Sequence, residues 1–102
     1  MKGRVERVSV ENVNLPGRTN RVNAAKYQAM RDARLQILPA GAPGLTQAEI
    51  REAVLPHLPE VLYPSGATAA WWAKTVQLDL EAKGRVVRER SKPLRWHQLR
   101  LE

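Results

Sequence analysis

The chain has 102 residues, of which 43% are hydrophobic and 26% are charged, and none is cysteine. This length supports one domain with a single core, and the lack of cysteine excludes disulfides and thiolate metal ligands. The longest apolar run, Ala69 to Ala73, is far shorter than the ~20 residues of a membrane span. The first residues are charged and lack a secretory hydrophobic segment, so we expect a cytoplasmic protein without membrane association.

Positive charge is concentrated at the two ends of the sequence. The net charge is +7, of which residues 1–22 carry +3 and residues 84–102 carry +4, while residues 23–83 are neutral. Such a balance favours polyanionic partners. Any electrostatic contact with a partner is therefore expected to involve the two ends.

Residues 1–22 are predicted to form an N-terminal arm. Val8 to Val10 is a candidate short strand, and the composition of Asn12 to Arg21 favours an extended, turn-containing segment. Its cations are Lys2, Arg4, Arg7, Arg18 and Arg21. Basic arms can follow DNA into a minor groove, which makes Arg18 and Arg21 candidate DNA contacts. Alternatively, both belong to an ordered loop packed beside the first helix.

The first predicted helix begins after Asn23, a favourable N-cap residue, and ends at Pro39. Arg34 interrupts its apolar stripe and must reach solvent or an acidic partner. The apolar residues of the stripe are Tyr27, Met30, Ile37 and Leu38.

The second helix has a capping box formed by Thr46 and Glu49, and Pro56 ends or kinks it. The third is predicted to be capped by Ser65 and to run to about Lys83, with Gly84 as a left-handed stop.

The third helix is apolar on two sides. One side is predicted to face the core and contains Ala69, Trp72, Ala73, Val76 and Leu80. Trp71 and Leu78 fall on nearly the opposite side, where they either lie under the hairpin or arm or form an interface with a second copy. Asp79 is expected at the surface.

Two strands are predicted near the C-terminus, at residues 85–89 and 94–97, joined by a turn. Alternation points Leu94 and Trp96 inward and Arg95 and His97 outward.

The order of three helices and a basic hairpin resembles the winged-helix domains. The likeness lies in residues 45–50, at the start of the second helix, and in residues 74–87, at the end of the third. It implies an α+β fold, mainly α, in which residues 23–102 form a winged-helix domain with a C-terminal β-hairpin wing and an extended N-terminal arm before it.

The whole chain also resembles a family of small bacterial proteins of uncharacterised function. The matching stretches are residues 11–17, 44–50, 71–80 and 92–97. This resemblance implies kinship and supplies no activity.

The leading hypothesis is a DNA-binding protein that contacts the duplex mainly through phosphates, with transcriptional regulation as its candidate role. Lys74 and Gln77 on the third helix are candidate contacts to guanine and adenine. The wing supplies candidate phosphate contacts at Arg88, Arg90, Lys92 and Arg95. The same wing charges also suit an edge that only prevents aggregation. The alternative function is therefore a protein-interaction or homodimerisation module that uses Trp71 and Leu78.

No enzymatic chemistry is indicated by the sequence. His57 and His97 lack the neighbours of a nucleophile or a metal site, and Gly41 and Gly44 do not form a phosphate-binding loop. We therefore predict a protein that is not an enzyme and needs neither a metal nor a cofactor.

Overall fold

The computed structural model describes residues 6–99, which form a small α+β structure with three helices and two antiparallel sheets. The first sheet pairs β1 with β2, and the second has the order β3-β5-β4. The helices are α1 (Ala24–Ile37), α2 (Gln47–Val54) and α3 (Ala69–Ala82). The strands are β1 (Arg7–Glu11), β2 (Thr19–Asn23), β3 (Leu45–Thr46), β4 (Val86–Glu89) and β5 (Arg95–Gln98).

The first two helices start where local side chains predict. The Asn23 side chain accepts a hydrogen bond from the Lys26 N–H at 3.0 Å. Thr46 and Glu49 form the reciprocal capping box, with both hydrogen bonds present. Both predictions are confirmed, because each cap depends only on residues three positions apart.

The predicted start of α3 at Ser65 is wrong, since the helix begins at Ala69. Ser65 lies in a short 3₁₀ turn and has a left-handed backbone, with φ of 53°. Thr68, the residue before α3, is left-handed too, with φ of 62°. The chain thus turns twice before the helix can form. The predicted stop is confirmed, because Gly84 has φ of 72° just beyond the end of α3.

The core-facing side of α3 is also confirmed, as all five of its predicted residues are buried. Trp96 of β5 is 3% exposed and completes this core, as predicted. Leu94 is 44% exposed, so its predicted inward orientation is wrong. The reason is that β5 begins only at Arg95, and strand alternation does not extend into the preceding turn.

The N-terminal region is a β-hairpin. The predicted strand at Val8 to Val10 is confirmed and is one residue longer at each end. Part of the segment expected to be extended returns as β2 and pairs with it, with Val10 opposite Asn20. Since Asn23 both ends β2 and caps α1, the hairpin leads directly into the helices. Lys2 and Arg4 lie outside the described residues.

Candidate nucleic-acid interface

The hairpin formed by β4 and β5 is fastened to α3 by Arg88. Its Nε lies 3.0 Å from Oε1 of Glu81 in α3, and its guanidinium carbon is 5.8 Å from the centroid of the Trp96 ring. The Trp96 indole N–H also donates to Glu81, at 3.1 Å. The charge of Arg88 is therefore largely paired with Glu81, and this ion pair holds the hairpin against the helix.

Arg95 occupies a similar position on the other side of the hairpin. Its Nη1 donates to the Gly44 carbonyl at 3.0 Å and lies 3.5 Å from Oε1 of Glu49. Because Glu49 is the N3 residue of the capping box of α2, Arg95 links the hairpin to the start of that helix.

Arg90 and Lys92 lie in the turn that joins β4 to β5, and both are exposed. Among residues 6–99, no carboxylate approaches either of them within ion-pair distance. Of the four cations predicted on the wing, these two thus carry charge that the described part of the protein leaves uncompensated.

The prediction that Gln77 lies on an exposed face of α3, where it could contact a base, is wrong. Its side chain is 3% exposed, and its Oε1 accepts a hydrogen bond from Nη2 of Arg34 at 3.1 Å. Arg34 is fully buried and also donates to the Ala73 carbonyl at 3.2 Å. The prediction that the Arg34 side chain reaches solvent or an acidic partner is therefore wrong as well.

Burial lowers the pKa of Arg34 to about 10, because the charged guanidinium is withdrawn from water between α1 and α3. Its Nε has no hydrogen-bond partner within residues 6–99. Gln77 is consequently committed to the core, where it satisfies part of the hydrogen-bonding capacity of Arg34.

A cavity of about 650 Å³ lies between the N-terminal hairpin and the second apolar side of α3. From α3 it is lined by Trp71, Thr75 and Leu78, and from the hairpin side Arg18 and Arg21 are among its lining residues. The structure thus brings both predicted arm cations to α3. Lys74 is exposed and falls within one helical turn of Trp71 and Leu78.

Trp71 lies beside the hairpin and is only partly covered by it. Its ring makes a T-shaped contact with the buried Trp72, with centroids 5.0 Å apart, yet 56% of Trp71 remains exposed. Leu78 is half-buried on the same side of the helix.

Asp79 is the structurally important residue that the sequence reasoning placed at the surface. It is fully buried, and its carboxylate accepts hydrogen bonds from the Glu11 N–H at 2.8 Å, from the Tyr27 hydroxyl and from the Lys83 ammonium at 3.0 Å. Burial and the bond to Asp79 raise the pKa of Tyr27 above its ordinary range. Asp79 therefore ties the N-terminal hairpin to α3. The sequence feature that indicates its burial is its position on the apolar stripe, three residues after Val76.

Within residues 6–99, no group of three acidic, histidine or cysteine side chains has the arrangement of a metal site. His97 is half-buried, and its Nδ1 lies 2.6 Å from the Glu89 carboxylate. None of the helices in this part of the chain is both long and apolar enough to cross a membrane.

The chain matches a known protein family. The sequence model of DUF6958, described as a family of unknown function, matches residues 7–96. No curated protein and no solved structure matches the chain.

Proposed function

The chain belongs to the DUF6958 family of unknown function, and from its own residues we propose that it is a winged-helix protein that binds duplex DNA mainly through phosphates. The observation that carries this proposal is the pair of exposed cations, Arg90 and Lys92, at the turn of the hairpin that follows α3. Uncompensated cations on a projecting hairpin are suited to a phosphate backbone.

The element order supports the winged-helix assignment. The short strand β3 lies between α1 and α2, and it pairs with β5 of the C-terminal hairpin. The hairpin is thereby joined to the segment that starts α2 through two residues of β5, Arg95 and Trp96.

The cations have unequal roles in this proposal. Arg90 and Lys92 contact phosphates from the wing, and Lys74, Arg18 and Arg21 supply a second basic group beside α3. Arg88 and Arg95 position the wing through Glu81 and Glu49, so their own contribution to phosphate binding is smaller. A protein that neutralises a few phosphates in this way binds in a strongly salt-dependent manner.

The test is a titration of a fluorescein-labelled duplex, followed by anisotropy, between about 50 and about 200 mM salt. We expect the Arg90→Gln/Lys92→Gln variant to bind about tenfold more weakly at the lowest salt. The slope of log binding constant against log salt should also become shallower by about two, since two phosphate contacts are lost.

The matched control is Arg31→Gln/Arg51→Gln, which removes the same charge from α1 and α2. An equal loss in the control would mean that net charge alone attracts DNA and would contradict a wing interface. Failure of the wild-type protein to bind at the lowest salt would overturn DNA binding altogether.

A second candidate function, a homodimerisation module, is favoured by the exposure of Trp71. A tryptophan that is 56% exposed beside the half-buried Leu78 is suited to a protein interface. For such a module we expect light scattering to give twice the 11.5 kDa of one chain, and Trp71→Ala to restore the single mass. A single-chain mass for the wild type would remove this candidate.

A further inference from the structure

The cavity between the N-terminal hairpin and α3 has the size of a small-molecule site. Its volume of about 650 Å³ falls within the ~300–1,000 Å³ that such sites occupy. Among its lining residues, Trp71 is 56% exposed and Leu15 from the hairpin loop is 50% exposed. Two large apolar side chains therefore face this space without being covered.

The walls of the cavity combine apolar side chains with polar and charged ones. Val10 and Val22 contribute from the hairpin, and Trp71 and Leu78 contribute from α3. Thr75 places a hydroxyl on the same side of α3. An apolar body with one or two polar substituents is the kind of ligand that fits such walls.

Three charged residues of the hairpin line the cavity: Glu11, Arg18 and Arg21. Glu11 and Arg21 lie on the same face of the hairpin, diagonally across its two strands, so the Glu11 carboxylate partly offsets the charge of Arg21. Arg18 lies in the loop before β2, outside the strand pairing. Within the described residues, Arg18 is therefore the cation best placed to bind an anionic group there.

We propose that this cavity binds a small aromatic carboxylate, with its ring against Trp71 and Leu78 and its carboxylate on the Arg18 guanidinium. Indole and ligand rings pack favourably in offset or edge-to-face arrangements. A guanidinium matches a carboxylate with two parallel hydrogen bonds, and its single positive charge is balanced by a monoanion. The proposal does not rest on DNA binding, and its test uses the protein alone.

The probe is 2-naphthoate, with the uncharged 2-naphthamide as its matched partner, titrated into ¹⁵N-labelled full-length protein at pH 7. The three tryptophan indole N–H signals report on three environments. We expect the Trp71 signal to shift as 2-naphthoate is added and to reach a plateau when the site is saturated. The Trp96 signal should remain in place, because this indole is buried and bonded to Glu81.

Charge recognition is tested by comparing two single substitutions in the same hairpin. In the wild type, 2-naphthoate should bind at least fivefold more tightly than 2-naphthamide, as expected when one charge-assisted pair is made. Arg18→Gln should abolish this preference. Arg7→Gln, which removes an equal charge from β1 outside the cavity lining, should leave it unchanged.

Trp71→Ala should weaken binding of both compounds about tenfold or more, since it removes the largest apolar wall. Because Trp71 is more than half exposed, the variant is expected to keep its fold, which the dispersion of the remaining signals verifies. Equal affinity for the two compounds, or a preference that survives Arg18→Gln, would refute the proposal. Shifts centred away from the Trp71 signal would refute it too.

Discussion

Replacing Asp79 with alanine is expected to lower the free energy of unfolding by about 3–5 kcal/mol, because two hydrogen-bond donors lose their acceptor and each such loss costs about 1–3 kcal/mol. The substitution leaves the Tyr27 hydroxyl and the Glu11 N–H without their acceptor. Lys83 matters less, because its side chain is 40% exposed and can be solvated once the carboxylate is gone.

The loss of stability should appear first in the N-terminal hairpin. The Glu11 N–H donates the hydrogen bond that joins the hairpin to Asp79 of α3. Arg18 and Arg21 depend on the same hairpin for their position. Hydrogen exchange of the Val8 and Val10 amides should therefore accelerate more than that of the Ile50 and Val54 amides in α2.

The measurement is urea unfolding followed by circular dichroism, with two comparison variants. Asp79→Asn keeps an acceptor oxygen for the Glu11 N–H, so its loss should be smaller than that of alanine. Asp32→Ala removes a carboxylate whose side chain is 55% exposed, and it should cost less than about 1 kcal/mol. A similar small cost for Asp79→Ala would show that the buried carboxylate does not hold the hairpin.

The features that could be predicted from the sequence are those set by neighbouring residues. The caps of α1 and α2 involve side chains and N–H groups three residues apart, and the core-facing side of α3 follows from helical periodicity. The left-handed Gly84 is also local. The β4–β5 hairpin was predictable because its strands are adjacent in the chain and both alternate.

Three of the errors concern polar residues whose partners are distant in the sequence. Arg34 and Gln77 are 43 positions apart, and each is tolerated in the core because of the other. Asp79 is likewise explained by Glu11, 68 positions away. Their polarity suggests the surface even where helical periodicity places them on the core-facing side, since a buried polar group is unfavourable until its partner is known.

The candidate site was only partly predictable for the same reason. The cations of the wing and the second apolar side of α3 were visible in the sequence, but what lies beside Trp71 stayed open between the hairpin, the arm and a second copy. β2 has the sequence Thr-Asn-Arg-Val-Asn, which contains a single apolar residue, so its strand depends on pairing with β1. Without that pairing, Arg18 and Arg21 could not be placed next to α3.

Substituting Gly44 with alanine is expected to destabilise the protein by about 3 kcal/mol or more, at the upper end of the cost of overpacking. A Cβ at this position would lie 1.9 Å from the Trp96 carbonyl oxygen and 2.3 Å from its carbon. It would also lie 2.7 Å from the Glu89 carboxylate, which His97 holds. Since the nearest atoms are backbone, no side-chain rotation can relieve the contact.

Gly41→Ala provides the matched control in the same connector. A Cβ there meets nothing within 4 Å, and Gly41 does not have a left-handed backbone, so its substitution should be neutral or stabilising by up to about 1 kcal/mol. Thermal unfolding of the two variants measures the difference. A loss for Gly44→Ala as small as that for Gly41→Ala would contradict the close approach of the connector to β5.

The difference between these two glycines also bears on the wing. The Gly44 carbonyl accepts a hydrogen bond from Arg95, and the next residue begins β3, which pairs with β5. A displaced residue 44 would therefore loosen the hairpin from α2, even though Arg90 and Lys92 keep their charge. Under the proposed function, Gly44→Ala should weaken DNA binding while leaving the salt slope nearly unchanged, because the number of phosphate contacts is the same. Arg90→Gln/Lys92→Gln should weaken DNA binding and also make the salt slope shallower. The two variants therefore distinguish a wing that is misplaced from one that has lost its charge.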